Sequence, residues 1–347
     1  MAEAATSASR GAAPLLEVRD LVKHFPVKSS GLIRRTVGQV QAIDGISFSI
    51  DPGQSLGLVG ESGCGKSTTG RVLMKLYEPT SGEMLFDGVD LAPLSQRQML
   101  PHRKDIQLIF QDPYSSLNPR HTVGTIIATP LQVHKVVPEK QVMDRVKDLL
   151  KLVGLNPEHY NRYPSEFSGG QRQRIGIARA LALTPKLMIA DEPVSALDVS
   201  IQAQVINLLQ DLQREFNIAF LFIAHDLAIV RHFCPEIAVM YLGKIVEIGD
   251  RDTIYNRPHH PYTQALLSAV PDVKQAAIGG RRDRIRLQGD VPSPINPPSG
   301  CRFRTRCWKA QDICAAQEPP LLQIGSAEHQ VACHFAEPNT NILATSA

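Results

Sequence analysis

The sequence predicts an α/β fold built on a largely parallel sheet. Two observations carry that prediction. From 186 to 248 the text alternates strand-like and helix-like stretches, "KLMIAD", "IQAQVINLLQDLQREF", "AFLFIAH" and "IAVMYLGKIVEIG", and strands alternating with helices build parallel sheets. A glycine-rich run at 60–67 stands between strand-like "SLGLVG" and helix-like "STTGRVLMKLY".

The elements follow in order. The start "MAEAATSASRGAAP" is small and polar with no apolar h-region, so 1–14 is expected to be a disordered tail rather than a secretory signal. Residues 15–57 read as β-rich, with "LLEVRDLV" and the partly alternating "VQAIDGISFSI". From about 112 to 167 the character turns helical. Val142, Val146, Leu149, Leu150 and Val153 fall on one helix face, and Gly154 is a plausible stop. Ile201, Val205, Leu208, Leu209 and Leu212 share the face of a later helix. After about 250 the chain is rich in proline and arginine, and four prolines between 292 and 298 exclude regular structure there.

Composition bounds what this chain does. A length of 347 suggests two or three domains, and 43% hydrophobic with 20% charged residues is ordinary for a globular chain. The net charge of +3 gives no reason to expect nucleic acid as a partner. The longest apolar runs are strand-sized, well short of the roughly 20 residues of a membrane helix. A reducing cytoplasm is expected, so clustered cysteines lean toward metal rather than disulfides.

"GESGCGKS", residues 60–67, fits the spacing G-x-x-x-x-G-K-[ST]. Gly60, Gly63 and Gly65 let the backbone fold around a phosphate with its N–H groups inward, and the following helix adds its positive end. Lys66 reaches the β- and γ-phosphates, and the Ser67 hydroxyl suits magnesium. The plainer alternative, a glycine-rich turn, is weakened by the strand–loop–helix context. "LMIADEP" is an apolar strand ending in Asp191 and Glu192. Asp191 suits the magnesium shell, and Glu192 suits a general base that polarises an attacking water; taken alone, the pair reads equally well as a helix cap. Ser168, Gly169, Gly170 and Gln171 open a helix with bared amides, a second anion site without a lysine of its own. Such a half-site is expected to complete a site on another molecule.

These motifs, in this order, resemble the ATP-binding subunit of an ABC transporter over about 15–270. Gly60–Ser67 resembles Walker A, with Glu61, Ser62, Cys64 and Thr68 among the ATP-binding positions. Gln111 in "LIFQDP" resembles the Q-loop, Ser168–Gln171 the signature, Leu187–Glu192 Walker B, Asp198 in "SALD" the D-loop, and His225 in "FIAHD" the switch histidine. Serine directly follows Phe167 where leucine would be expected. The resemblance implies a P-loop NTPase with an N-terminal antiparallel β-subdomain, a helical subdomain and a small cysteine-containing extension. It divides the chain into a core over 15–111 and 168–255, a helical subdomain over 112–167, an extension over 256–335 and a tail over 336–347. It implies that two subunits sandwich two ATP molecules head to tail. Phe25 in "VKHFPV" matches the aromatic that stacks on adenine, Gln111 contacts magnesium or the water, His225 holds the γ-phosphate, and Asp198 contacts the facing site.

"FQDPYSSLNPR", "RPHHPYTQALLSAVP", "GDVPSPINPPSGCRFRTRC" and "HQVACHF" narrow the resemblance to the dipeptide/oligopeptide permease ATPases. That implies an importer with a second, non-identical ATPase, two transmembrane permease subunits and an extracytoplasmic peptide-binding protein, with this chain on the cytoplasmic face of the inner membrane. The helical insert receives the permeases. Nickel-chelate, glutathione and oligosaccharide importers share much of this sequence, so the cargo stays open; no residue by itself specifies a peptide. A soluble ABC ATPase acting on ribosomes or DNA is disfavoured, since the chain has one cassette and no long coiled-coil insertion. A sensor dominated by its metal site is a third alternative.

Cys301, Cys307, Cys314 and Cys333 gather near the end of a chain with six cysteines. Four thiolates can hold zinc or an iron–sulfur cluster, and the spacing lacks the C-x2-C pairs of common zinc ribbons. The resemblance associates this extension with a 4Fe–4S cluster. Arg302, Arg304, Arg306 and Lys309 are expected to crowd the thiolates and offset cluster charge. Reduced structural thiols are the plainer alternative. "RRDRIR" at 281–286 reads as a solvated charge run.

Overall fold

The structure, a computed structural model, describes residues 13–29, 35–270, 284–325 and 329–338. The two expected tails lie outside the described residues except at their inner ends, as does the first half of the 281–286 charge run.

The chain opens with β1 (Leu16–Lys28), β2 (Thr36–Ile50) and β3 (Ser55–Val59), followed by α1 (Lys66–Leu73). Next come β4 (Ser81–Phe86), β5 (Val89–Asp90), α2 (Leu100–Arg103) and β6 (Ile106–Ile109). The helical stretch holds α3 (Val123–Val133), α4 (Val142–Leu152) and α5 (Gly169–Leu181). Then β7 (Leu187–Asp191), α6 (Val199–Phe216), β8 (Ala219–Ala224), α7 (Leu227–Phe233), β9 (Glu236–Tyr241) and β10 (Lys244–Asp250) alternate. The C-terminal part contributes α8 (Arg251–Asn256), α9 (Pro261–Ser268), α10 (Asp312–Ala316), β11 (Leu322–Gln323) and β12 (Gln330–Val331).

Two sheets result. One is antiparallel in the order β2-β1-β4-β5, as the family resemblance implied. The larger runs β11-β12-β10-β9-β3-β8-β7-β6, and its β9-β3-β8-β7-β6 stretch is parallel. The continuous apolar runs of the central strands have a direct cause, because both of their faces are covered. On β8, Phe220 and Phe222 join the core beneath the helices, while Leu221 and Ile223 join the core beneath the antiparallel sheet. Met188 and Ala190 of β7 alternate in the same way with Leu187 and Ile189, the period of two expected of a strand.

The helical stretch packs by the face read from the sequence. Val142, Val146, Leu149 and Leu150 of α4 are buried, and Gly154, at φ 73°, follows the C-cap residue Val153 in the left-handed turn that ends the helix. On α6 the stripe is narrower than expected. Val205, Leu209 and Leu212 are buried with Ile206, while Ile201 and Leu208 sit at its margin. Residues 284–303 carry neither helix nor strand, in keeping with their prolines. No described helix is long and apolar enough to cross a membrane.

Candidate active site

Strands β3, β6, β7 and β8 run parallel and end on one side of the sheet, where open α/β folds bind ligands. The glycine-rich loop leaves β3 there and turns into α1 through Gly65. Gly65 has φ 111°, and a Cβ on it would stand 2.0 Å from the Ala42 carbonyl oxygen. Only glycine fits that approach. The loop folds back on itself: Lys66 Nζ donates to the Gly60 carbonyl at 2.7 Å and to the Glu61 carbonyl at 2.9 Å, with Cys64 Sγ 3.7 Å away. Burial pushes the Cys64 thiol up, so it stays protonated inside the loop. Ser62 and Gly63 face solvent at the loop's tip, and Thr68 is half-buried on α1.

Ser67 Oγ donates to Asp191 Oδ1 at 2.7 Å. Burial, partly offset by the Ser67 hydroxyl, raises the carboxyl of Asp191 above its usual range. Two hard oxygen donors side by side, one of them a desolvated carboxylate, suit a magnesium ion.

Glu192 follows Asp191 with φ 45°, a left-handed conformation that a non-glycine residue holds only when its surroundings impose it. Its N–H donates to the Ile223 carbonyl at 2.9 Å, tying it to the neighbouring strand. Two side chains converge on one oxygen of its carboxylate. Gln111 Nε2, just beyond β6, donates to Oε2 at 2.9 Å, and His225 Nδ1, just beyond β8, lies 3.3 Å from the same atom. Gln111 and His225 are exposed while Glu192 is largely covered.

Phe25 is half-buried on β1. Tyr77 packs edge-on to its ring at 5.2 Å between centroids, and Lys23 Nζ sits 4.7 Å from its centre. Ser168 caps α5 in a reciprocal box: its hydroxyl accepts from Gln171 N at 3.4 Å, and Gln171 Oε1 accepts from Ser168 N at 3.0 Å. Gly169 and Gly170 form the first turn, and a Cβ on Gly170 would meet Ile201 at 2.5 Å. Asp198 precedes α6 and is exposed, without a capping bond from its side chain.

A family profile described as "ABC transporter" matches residues 43–195, and a second, "Oligopeptide/dipeptide transporter, C-terminal region", matches 246–314. The oligopeptide transport ATP-binding protein AppF of Bacillus subtilis (strain 168) is 54% identical over 92% of this chain and 97% of its own length. The chain belongs to the ABC transporter ATP-binding family. A probable peptide ABC transporter ATP-binding protein, y4tS of Sinorhizobium fredii, is 51% identical over 93% of this ABC ATPase and 90% of its own length. Among solved structures, the dimeric post-hydrolysis state of the ATP-binding cassette MJ0796 bound to ADP and Pi aligns with a TM-score of 0.60 at 27% identity, covering 68% of this chain and 98% of that one. CbiO1 from Clostridium perfringens, part of the transporter complex cbiONQ, aligns with the same score at 28% identity over 70% of this chain and 90% of that one.

The ABC ATPase holds α5 and the segment after β6 together through contacts that sequence reasoning missed. Arg172 stacks on Tyr114 at 4.1 Å, and Arg179 donates to the Ser116 carbonyl at 2.7 Å. Tyr77 beside Phe25 was also missed, as was Tyr262, whose hydroxyl accepts the Glu61 N–H at 2.8 Å. "RPHHPYT" was the only signal for Tyr262, and nothing in it points to the phosphate loop.

In the extension, Cys301, Cys307, Cys314 and Cys333 line one small cavity with His260, Arg304, Lys309 and Phe335. Burial pushes the Cys301 thiol up to about 11 and raises those of Cys307 and Cys333. The Phe335 backbone N–H donates to the Cys333 sulfur at 3.4 Å. The expected ring of four basic side chains is corrected. Arg304 and Lys309 reach the cavity, but Arg302 is drawn to Asp44, Gln41 and the Leu242 carbonyl, and Arg306 to Glu61. Partly buried carboxylates outcompete neutral thiols for a guanidinium.

Glu247, His259 and His329 form, among the described residues, the one group of three or more metal-type side chains with all ligand atoms within 4.8 Å. Both oxygens of Glu247 are already taken: Oε1 accepts from His259 N at 2.8 Å and pairs with His329 Nε2 at 2.9 Å, and Oε2 accepts from His260 N at 3.1 Å. The trio is a satisfied buried clasp between β10 and the C-terminal part.

Proposed function

We propose that this ABC ATPase powers import of oligopeptides, hydrolysing ATP at an interface it shares with a second, non-identical ATPase. The convergence of Gln111 and His225 on one oxygen of Glu192 carries the catalytic reading. ATP sits on the Gly60–Thr68 loop with Lys66 at its phosphates and Phe25 against adenine. Ser67, Asp191 and Gln111 are the residues that hold magnesium, which neutralises phosphate charge. Glu192 takes a proton from water as the water oxygen attacks the γ-phosphorus and the bond to the β-phosphate oxygen breaks, leaving ADP and phosphate. Gln111 orients Glu192 and the water, and His225 hydrogen-bonds the γ-phosphate. Ser168–Gln171 and Asp198 serve the partner's ATP. The exposed Ser168 and Asp198, and the dimer described for the MJ0796 cassette, support that pairing.

Glu192→Gln tests the reaction. ATP binding is retained and turnover falls by about 10²–10⁴-fold, the worth of a general base; normal turnover removes Glu192 from the role. The peptide cargo rests on relatives that carry peptide transport in their names. It is checked by uptake of labelled oligopeptides in cells with and without the chain, where unchanged peptide uptake with lost nickel, glutathione or oligosaccharide uptake redirects the assignment. Two permease subunits docked on the 112–167 insert, an extracytoplasmic binding protein and a place on the cytoplasmic face of the membrane complete the proposal, with the core at 15–111 and 168–255 and the extension at 256–335.

The four thiols fit a 4Fe–4S cluster better than zinc. Sulfurs about 2.3 Å from one zinc lie less than about 4 Å apart, and no three of these four sulfurs stand within 4.8 Å of one another. The Phe335 N–H contact to the Cys333 sulfur is of the kind that tunes cluster sulfurs. Cys301, Cys307, Cys314 and Cys333 would hold the cluster and gain a crosslink where apolar packing is thin. Anaerobically purified protein is then brown with about four irons per chain, whereas stoichiometric zinc without iron replaces this reading.

A further inference from the structure

Glu61 of the phosphate loop is held from three directions. Lys66 binds its carbonyl within the loop. The other two holds come from the distant C-terminal part: Tyr262 Oη accepts its N–H at 2.8 Å, and Arg306 grips its carboxylate through Nη1 at 2.7 Å and Nη2 at 3.1 Å. The Arg306 side chain is 8% exposed and that of Glu61 27%, so the fork is partly shielded from water and its geometry is restricted. Arg306 ends the single helical turn Arg304–Arg306, between Cys301 and Cys307. Tyr262 stacks with Tyr241 at 4.7 Å and with Phe303 of the same cysteine segment at 5.3 Å. The loop that receives phosphate and the segment that carries two of the four thiols are therefore braced against each other.

We propose that Arg306 is a positioning residue for the ATP site, and that the cysteine extension sets nucleotide affinity by holding Glu61. A phosphate loop binds through inward-pointing backbone N–H groups, and the Glu61 N–H, turned to Tyr262, anchors the loop instead. A loop already fixed at Glu61 spends less ordering entropy when ATP arrives. Arg306 touches neither ATP nor the reacting atoms. Its effect falls on binding and leaves the Glu192 chemistry alone. The inference rests on the ATP-site reading above, and the test separates the two.

The experiment measures equilibrium binding of ATP to the purified full chain, with melting temperature recorded alongside. Arg306→Ala weakens ATP binding by about tenfold, the equivalent of ~1.4 kcal/mol. Glu61→Gln does the same, and the double variant is no weaker than either single one, because one pair is lost in each case. Arg306→Lys, which keeps the charge without the fork, recovers part of the loss. Cys301→Ser with Cys307→Ser weakens binding in the parent chain and adds nothing in the Arg306→Ala chain. A lowered melting temperature with unchanged ATP affinity makes Arg306 a purely structural tether and overturns the proposal, as do additive losses in the double variant. Lys66→Ala is the control: if it binds ATP like the parent, the ATP-site reading itself fails, whatever Arg306 does.

Discussion

Ser67 Oγ and Asp191 Oδ1 stand 2.7 Å apart although 124 positions separate them in the chain. The contact exists because β3 and β7 flank β8 in one parallel sheet and end together. It joins the phosphate loop to the acidic strand end. Asp191→Asn keeps the hydrogen-bond geometry and removes the charge. ATPase activity is expected to fall by about 100-fold or more, while ATP binding without magnesium stays near that of the parent. Titrating magnesium against activity checks it; an unchanged magnesium midpoint would remove Asp191 from the metal shell.

Gly65→Ala tests the loop's backbone. The added methyl would press on the Ala42 carbonyl at a φ that alanine resists. Loss of ATP binding is expected together with about 1–3 kcal/mol of stability. Chemical denaturation and a binding isotherm report the two separately. Gly63→Ala is the comparison, since a Cβ there meets nothing within 4 Å although its φ is also positive.

Phe25→Ala should lower ATP affinity by about 5–10-fold, the worth of one stacked aromatic surface, with Phe25→Tyr close to neutral. Its half-buried ring contributes little to the core, so the melting temperature should move only slightly. GTP and ATP affinities measured side by side show whether the ring discriminates between bases.

His260 predicts acid sensitivity. Burial lowers its imidazole from the ordinary 6.5 to about 4, against the opposing pull of the nearby Glu247 carboxylate. Its Nδ1 accepts the Tyr262 N–H at 3.1 Å, a bond that needs the unprotonated nitrogen. Arg304, Lys309, His334 and the four thiols share the cavity that His260 lines. The unfolded chain takes up this proton near pH 6.5 and the folded chain only near pH 4. Stability is therefore full above about pH 6.5, declines as pH falls toward 4, and levels below it, a total on the order of 3 kcal/mol. His260→Asn keeps a capping acceptor and should flatten that part of a urea-midpoint profile; an unchanged slope contradicts the assignment.

Legibility in the sequence followed locality. The phosphate loop, the Asp191–Glu192 strand end and the Ser168 cap are each written in a few consecutive residues whose spacing carries their geometry, so their place in the fold could be read directly. The α4 face was legible because Val142, Val146 and Leu149 repeat with the helix. Arg302 and Arg306 were misjudged for the opposite reason. Nearness in sequence suggested that they serve the thiols, but their partners, Asp44 and Glu61, lie 258 and 245 positions away. No local pattern encodes such a pairing. β11 and β12 were invisible because two residues are too few to show a period of two.

Those two short strands matter beyond their length. β12 pairs with β10 through Glu247 with Val331 and Ile248 with Gln330, and β11 lies outside it. They occupy the rim of the large sheet, where a bare strand would offer its N–H and C=O groups to any other chain. A protein shortened before residue 320 would keep every catalytic side chain and yet present β10 as an open template, with Ile245, Val246 and Ile248 along it. The C-terminal part thus acts as a guard against sticking to its own kind, and loss of solubility is expected on trimming it even where hydrolysis survives.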